Sequence, residues 1–260
     1  MKELVSIIVP NYNSAQFIAE TIESVLSQTY TEWELLIVDD KSTDNSVKII
    51  KTYLEKDARI QLFENTVNRG AAYTRNVALA AAKGKWIAFL DSDDLWMPSK
   101  LEKQVAFMQK NSYKFSYTQY CQIDEETKPL NQVITGPKKI TKRKMFRYNY
   151  LGCLTVMYDR DTMGLLQVDE RIGNGRNDYA LFLSASKKAP CYLLKEVLAQ
   201  YRIRKSSLSH GSFKKLLRYQ YQLFRISENM CGIRAAYHVA VNLFFGTIKK
   251  IFYRKQSRKS

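Results

Sequence analysis

Three carboxylates fall within four residues at Asp91-Ser92-Asp93-Asp94, in a chain of 260 residues whose formal net charge is +16. They follow the apolar run Trp86-Ile87-Ala88-Phe89-Leu90, which Gly84 and Pro98 bound on either side. A short apolar run between such breakers reads as a buried strand, so the acids stand at its carboxyl end. In open α/β sheets that is where ligands bind. Like charges this close repel, and a cation among them relieves the repulsion. Hard oxygen donors suit Mg2+ or Mn2+, and Mg2+ commonly combines one or two carboxylates with substrate phosphates. The competing account is a solvated turn in which Asp91 or Ser92 caps the next helix.

Other residues point to the same chemistry. The apolar run Trp33 to Val38 also ends in acids, Asp39-Asp40. Each can accept a hydrogen bond from a base N–H or a ribose hydroxyl, or else cap the helix that follows. The loop Val9-Pro10-Asn11-Tyr12-Asn13 offers backbone groups and an aromatic edge to the same base. No Gly-x-Gly-x-x-Gly and no Gly-x-x-x-x-Gly-Lys-Ser/Thr occurs, which removes a dinucleotide fingerprint and a phosphate-cradling loop. Diphosphate binding through a carboxylate-held metal is what remains.

The elements that must position these residues alternate. Leu4 to Val9 reads as a strand, followed by a helix from about Ala15 to Gln28 with Ser14 as its cap. After the strand Trp33 to Val38, a helix begins near Ser42-Thr43-Asp44 with Val47, Ile50 and Leu54 inward. Ile60 to Phe63 is a third strand. Asn68-Arg69-Gly70 is a turn, and Ala71 to Ala82 is a small-residue helix able to pack closely. A helix from about Ser99 to Gln109 follows the acidic strand. Four strand–helix alternations predict a mostly parallel, Rossmann-like α/β sheet with helices on both faces. Beyond Lys114 the pattern changes: Phe115 to Tyr120 alternates as a strand, Asp124 to Thr127 is a hairpin turn, and Lys138 to Arg147 is a basic helical connection. Leu154 to Tyr158 reads as another strand, Gly173 to Arg176 as a loop, Asn177 to about Lys188 as a helix, and Tyr192 to Leu194 and Val197 to Ile203 as closing strands.

Composition narrows the class. A 45% hydrophobic content supplies a real core. The beginning, Met1-Lys2-Glu3 and then a strand, lacks a signal-peptide pattern. No stretch reaches the ~18 uninterrupted apolar residues of a membrane span. Cys121, Cys153, Cys191 and Cys231 show no Cys-x-x-Cys spacing, and only His210 and His238 accompany them, so free thiols in a reducing cytoplasm are expected rather than a zinc site. The basic excess lies in the tail, since residues 201–260 hold 14 Lys+Arg against the single acid Glu228.

The order and spacing of Val9-Pro10-Asn11-Tyr12-Asn13, Val38-Asp39-Asp40-Lys41-Ser42, Asn68-Arg69-Gly70 with Arg75-Asn76, and Asp91-Ser92-Asp93-Asp94 resemble the family 2 inverting glycosyltransferases of the GT-A fold. With Gly152 to Met157 added, the pattern is most similar to bacterial enzymes of teichuronic acid and capsular polysaccharide assembly. The resemblance implies a GT-A nucleotide-diphospho-sugar transferase fold and a UDP-sugar donor. It implies a nucleotide site of Pro10, Tyr12, Asp39, Asp40, Arg75, Asp91 and Ser92, and a divalent metal, Mg2+ or Mn2+, on Asp93 with Asp91. The family's helix-opening acidic pair is here Asn177-Asp178, so Asp178 inherits the role of catalytic base while the preceding acid is absent. A further family element, Tyr-Arg-x-His, reads here Tyr201-Arg202-Ile203-Arg204. A guanidinium is no metal ligand but can hold a diphosphate, so Arg204, with Arg202 beside it, is the expected diphosphate contact. His210 reads as a surface residue.

The expected organisation is a nucleotide-sugar-binding half (residues 1–111), an acceptor-binding half (112–210) and a basic, amphipathic helical tail (211–260). In the tail, apolar positions from Phe213 onward alternate with Lys214, Lys215, Arg218 and Arg225. That pattern fits peripheral attachment to the anionic inner face of the cell membrane through residues 213–260, beside a glycan or lipid-linked saccharide acceptor. Packing of the same face on the catalytic domain or on a second subunit is the alternative. A nucleic-acid-binding role is disfavoured, because the basic residues gather in an apolar-rich tail while the crevice is acidic. A nucleotide-sugar-binding pseudo-enzyme, or a membrane-surface accessory protein of the same pathway, is the main functional alternative. A sugar nucleotidylyltransferase fits less well, since Val9 to Asn13 has no glycine for a triphosphate loop.

Overall fold

Val5, Ile7 and Val9 face one side of the first strand and Ser6 and Ile8 the other, and all five are buried. A strand covered on both faces needs helices on both, and the computed structural model supplies them. It describes residues 2–172, 176–204 and 213–256. Strands β1 (Val5–Asn11), β2 (Trp33–Asp39), β3 (Ile60–Glu64) and β4 (Trp86–Phe89) are parallel, in the spatial order β3-β2-β1-β4. Helices α1 (Ile18–Leu26), α2 (Ser46–Leu54) and α4 (Lys100–Asn111) cover the face of Val5, Ile7 and Val9. Helices α3 (Gly70–Ala81) and α7 (Asn177–Lys188) cover the face of Ile8.

The expected fold class holds: a mostly parallel, Rossmann-like sheet flanked by helices, as in the GT-A fold. From β1 the chain winds outward through β2 and β3, then returns to place β4 on β1's other side. The strand order therefore reverses between β1 and β4, and their carboxyl ends frame the crevice where such sheets bind ligands.

Beyond β4 the sheet becomes mixed. β9 (Met157–Asp159) pairs antiparallel with β4, and β6 (Phe115–Ile123) antiparallel with β9. β7 (Pro129–Ile134) returns along β6 through the expected hairpin. The two closing strands form one long strand, β10 (Cys191–Arg202), which runs parallel to β6 with irregular register between Leu194 and Ala199. β10 also pairs with two short strands, β5 (Leu95–Trp96) and β8 (Lys139–Ile140). Helices α5 (Lys142–Arg147) and α6 (Arg160–Met163) fill the connections.

The tail forms α8 (Phe213–Gln222), a π-helical turn at Leu223–Ser227, α9 (Gly232–Phe252) and a last strand, β11 (Arg254–Gln256). Leu223, Phe224 and Ala235 join the same buried cluster as α7, and β11 pairs antiparallel with β7. One side of the tail thus packs on the catalytic domain.

Two local expectations are corrected. Ser14 does not cap the first helix with its side chain: α1 starts at Ile18 behind Phe17, and Ser14 Oγ instead meets Ser92 Oγ at 2.7 Å. Leu154 to Tyr158 is not one strand, because Cys153–Thr155 forms a 3-10 turn and β9 begins only at Met157. Thr155 Oγ donates to Gly152 O at 2.7 Å, a local bond that competes with strand pairing. The expected Gly173-Asn174-Gly175 loop and His210 lie outside the described residues.

Candidate active site

Asn11, Asp39 and Asp91 all lie at carboxyl ends of parallel strands, so the sheet itself brings them to one edge. Asn11 Nδ2 donates to Asp39 Oδ1 at 2.6 Å, tying the ends of β1 and β2 together. Asp39 also accepts from Ser42 N at 2.9 Å and Ser42 Oγ at 2.6 Å. Asp40 accepts from Asn65 Nδ2 at 2.9 Å, Arg69 N at 2.9 Å and Gly70 N at 2.7 Å. Both carboxylates therefore fold the loops that surround the crevice. A carboxylate has about four acceptor positions, and three are filled in each of these two buried side chains. Gly70 presents its N–H to Asp40 from a left-handed backbone, φ 83°, which a Cβ would strain.

Pro10 lies within β1, and the ring of Tyr12 is 50% exposed at its end, open to a planar partner. Asn13 and Lys41, in the loops after β1 and β2, and Arg176, just before α7, have φ of 47°, 64° and 65°. Left-handed backbone at non-glycine residues is uncommon and gathers at functional sites.

The acidic stretch divides its residues among different partners. Asp91 Oδ1 lies 2.5 Å from Arg75 Nη2, whose side chain is buried. Burial alone would weaken the proton's hold on that guanidinium. The field of Asp91, with contributions from Cys153 and Asp178, outweighs it and holds Arg75 above its ordinary range. Arg75 Nε finds no partner among the described residues. Asp178, in the first turn of α7, thus acts electrostatically on the same arginine that Asp91 holds directly.

Asp93 Oδ2 lies 2.7 Å from Arg204 Nε, an ion pair rather than an aligned hydrogen bond. Burial pushes the Asp93 carboxyl up; Arg204 opposes this and Asp91 adds to it. Asp94 is fully buried and is pushed well above the carboxylate range by burial first and then by Asp93 and Asp91. Its Oδ1 accepts from Arg202 N at 2.9 Å, while Oδ2 has no partner among the described residues. Asp94 supports the loop.

Arg202 is committed to the scaffold. Its guanidinium donates to Asp93 O at 2.8 Å, Glu125 O at 3.0 Å, Thr127 Oγ1 at 2.8 Å and Glu20 Oε2 at 2.8 Å. Four of its five N–H donors are occupied there, and it is 1% exposed. The expected direct diphosphate contact is not supported for Arg202. Arg204, partly exposed beside Asp93, is the more open of the two.

Among the described residues, no three His, Cys, Asp or Glu side chains group as a metal cage. Asp91 and Asp93 are hard oxygen donors with part of their surface open, and Asp93 carries a burial penalty that a cation would relieve. They fit a cation that takes most of its coordination from water and substrate oxygens, as Mg2+ commonly does.

Sequence patterning did not find Lys249. This tail lysine directs its ammonium toward Asn149 O at 3.4 Å and Tyr150 O at 3.3 Å. Burial of that end lowers it to about 8, with Arg176 acting in the same sense and Asp178 against. Nor was the relay from Asn242 Nδ2 to Tyr179 Oη, 2.8 Å, and from Tyr179 Oη to Met145 O, 2.7 Å, foreseen. It joins α9 to the residue that follows Asp178.

Comparison with known proteins gives the family and the fold. The family model described as Glycosyl transferase family 2 matches residues 6–168. The chain belongs to that family. It is 42% identical over 214 residues to the putative teichuronic acid biosynthesis glycosyltransferase TuaG of Bacillus subtilis, covering 82% of this chain and 84% of that one. It is 38% identical over 259 residues to an Escherichia coli enzyme, UDP-Glc:alpha-D-GlcNAc-diphosphoundecaprenol beta-1,3-glucosyltransferase WfgD, covering 98% of each. Among solved structures, S. aureus TarS residues 1–349 in complex with UDP-GlcNAc superposes with a TM-score of 0.71 at 20% identity, covering 93% of this chain and 72% of that one. That likeness concerns the fold. As a member of family 2, the chain is an enzyme of the hexosyltransferase type.

Proposed function

We propose that this glycosyltransferase moves a sugar from a UDP-sugar to a hydroxyl of a glycan or lipid-linked saccharide, with inversion, in the assembly of a cell-surface polysaccharide. The single observation that carries the reading is the pairing of Asp91 with buried Arg75, which also lies in the field of Asp178. The relatives named above, one of which acts from UDP-Glc on a diphosphoundecaprenol-linked sugar, support the donor and acceptor classes.

In this reading Tyr12 and Pro10 flank the base, and Asp39 and Asp40 use their remaining acceptor positions on base and ribose. Ser92 and Asp91 complete the ribose side, and Arg75 holds the donor against Asp91. Asp93, with Asp91, would hold Mg2+ or Mn2+. That ion, when bound, supplies positive charge where the diphosphate gains negative charge on leaving. Arg204 supplies charge to the same diphosphate from the protein. Asp178 takes the proton of the acceptor hydroxyl as its oxygen attacks the anomeric carbon from the side opposite UDP, which inverts the configuration. A lipid-linked acceptor places the work at the inner face of the membrane, with the chain attached peripherally. No helix among the described residues is long and apolar enough to cross it.

The test is a panel of UDP-sugars with Mg2+ or Mn2+, run on the native chain and on Asp178→Asn. The expected result is turnover with one donor, lost about 10²–10⁴-fold in the variant while UDP affinity is kept. Donor binding without turnover on any sugar or acceptor would favour a pseudo-enzyme.

A further inference from the structure

Helix α9 is buried on one side and bare on the other. Ala235 and Asn242 are enclosed, and His238 packs its ring 5.5 Å from Phe146 and 5.1 Å from Phe224. On the opposite side Ile233, Tyr237, Phe244 and Ile251 are 85%, 65%, 63% and 65% exposed. Their spacing of four, seven and seven residues keeps them on one stripe of a helix. From Ile233 to Ile251 the stripe runs about 27 Å at the α-helical rise. Large apolar side chains aligned over that length mark a contact surface.

Charge decides the occupant. From Asn229 to the last residue the sequence contains no acid. On the flank of α9 lies α5, whose segment 138–147 holds six Lys+Arg and no acid. Phe146 reaches His238, and the Arg147 guanidinium lies 5.3 Å from the Phe245 ring, so α5 packs directly beside α9. Lys142, Arg143 and Lys144 are exposed there, as is Arg234 within α9 itself. A second copy would bring the same positive charge face to face, and an acidic protein partner would leave the apolar stripe without a use. An anionic bilayer answers both, since apolar side chains enter the headgroup boundary while lysines and arginines meet lipid phosphates.

From this geometry we infer that α9 lies along an anionic membrane surface, with Ile233, Tyr237, Phe244 and Ile251 inserted and the α5 lysines and arginines against the headgroups. The inference deepens the lipid-linked-acceptor reading and rests on it for its purpose. The helix that lies on the lipid is the one bonded through Asn242 to Tyr179, next to Asp178. It would bring the acceptor side of the crevice within about one helix diameter of the surface carrying the acceptor.

The experiment is flotation of the full chain, without donor or acceptor, on vesicles of phosphatidylcholine alone or with phosphatidylglycerol. The expected result is binding to the anionic vesicles, weakened by salt. It should fall at least about tenfold both in Ile233→Asp/Phe244→Asp and in Lys142→Glu/Arg143→Glu/Lys144→Glu. Thermal unfolding checks that these variants of exposed residues remain folded. Absence of binding to anionic vesicles, or binding that neither variant changes, overturns the inference. So does a concentration-dependent dimer that Ile233→Asp/Phe244→Asp dissolves, which would assign the stripe to a second copy. Because no sugar transfer is measured, a failure here is separate from a failure of the transferase reading.

Discussion

Arg204 Nε lies 2.7 Å from Asp93 Oδ2, so the carboxylate best placed to hold a cation already faces one that belongs to the protein. In the proposed reading the pair shares the crevice with the diphosphate, where Arg204 and a bound metal ion would have overlapping work. Removing the guanidinium should expose that overlap. In Arg204→Ala, UDP affinity without metal is expected to drop about tenfold or more, the scale of a lost charge-assisted contact. Saturating Mn2+ should restore most of it. Isothermal titration of UDP with and without Mn2+ measures both, and equal metal-free affinity in native and variant chains would refute the charge-clamp role.

Asp40 organises the turn at Arg69 and Gly70 by accepting from both backbone N–H groups. Asn in its place would direct an NH2 group at N–H donors and leave at least one of them unpaired in the interior. The expected cost is about 1–3 kcal/mol. For a chain of this size that corresponds to roughly 2–12 °C in Tm. If Asp40 also serves the nucleotide, UDP affinity falls along with Tm. A lower Tm with unchanged UDP affinity would confine Asp40 to the scaffold.

Lys100 is fully buried with Gln104 Oε1 at 2.8 Å and the Trp96 ring centroid at 4.0 Å. Burial lowers its pKa to about 7 from 10.5. Trp96's ring face favours the charged form and offsets part of that effect. The unfolded chain then binds more protons than the folded one between about pH 7 and the unfolded lysine value. Stability due to this group should rise with pH across that window and be absent below it. Lys100→Met removes the slope, while the loss of the donor to buried Gln104 Oε1 offsets the gain from removing the buried amine. Urea unfolding at pH 6.5 and 9 gives the comparison. A native slope that persists unchanged in Lys100→Met would show that other groups produce it.

The parallel half of the fold was legible because local signals agreed with the global arrangement. β1, β2 and β4 are apolar runs ended by polar or acidic residues, and α3 is rich in small side chains. The same signals placed Asp39, Asp40, Asp91 and Asp93 at one sheet edge. Ser14 and the Leu154 segment misled because Ser and Thr side chains can bond either a helix end or a nearby backbone group, and only the folded neighbours decide. The partners of the arginines were not legible either. Arg202 finds Glu20 182 residues away, and nothing local distinguishes it from Arg204, two positions later. Asn242 and Lys249 reach Tyr179 and the Asn149–Tyr150 carbonyls only because the tail folds back over α7.

β11 pairs with β7 through Arg254↔Ile134, Lys255↔Val133 and Gln256↔Gln132, and it ends the sheet on that side. Without it, Pro129–Ile134 would become a bare edge strand with unpaired backbone groups. Shortening the chain to make it easier to handle would therefore uncover a self-pairing template as well as the cluster around Phe224. A soluble version is better sought by polar substitutions along the outer stripe of α9, with the last strand left in place.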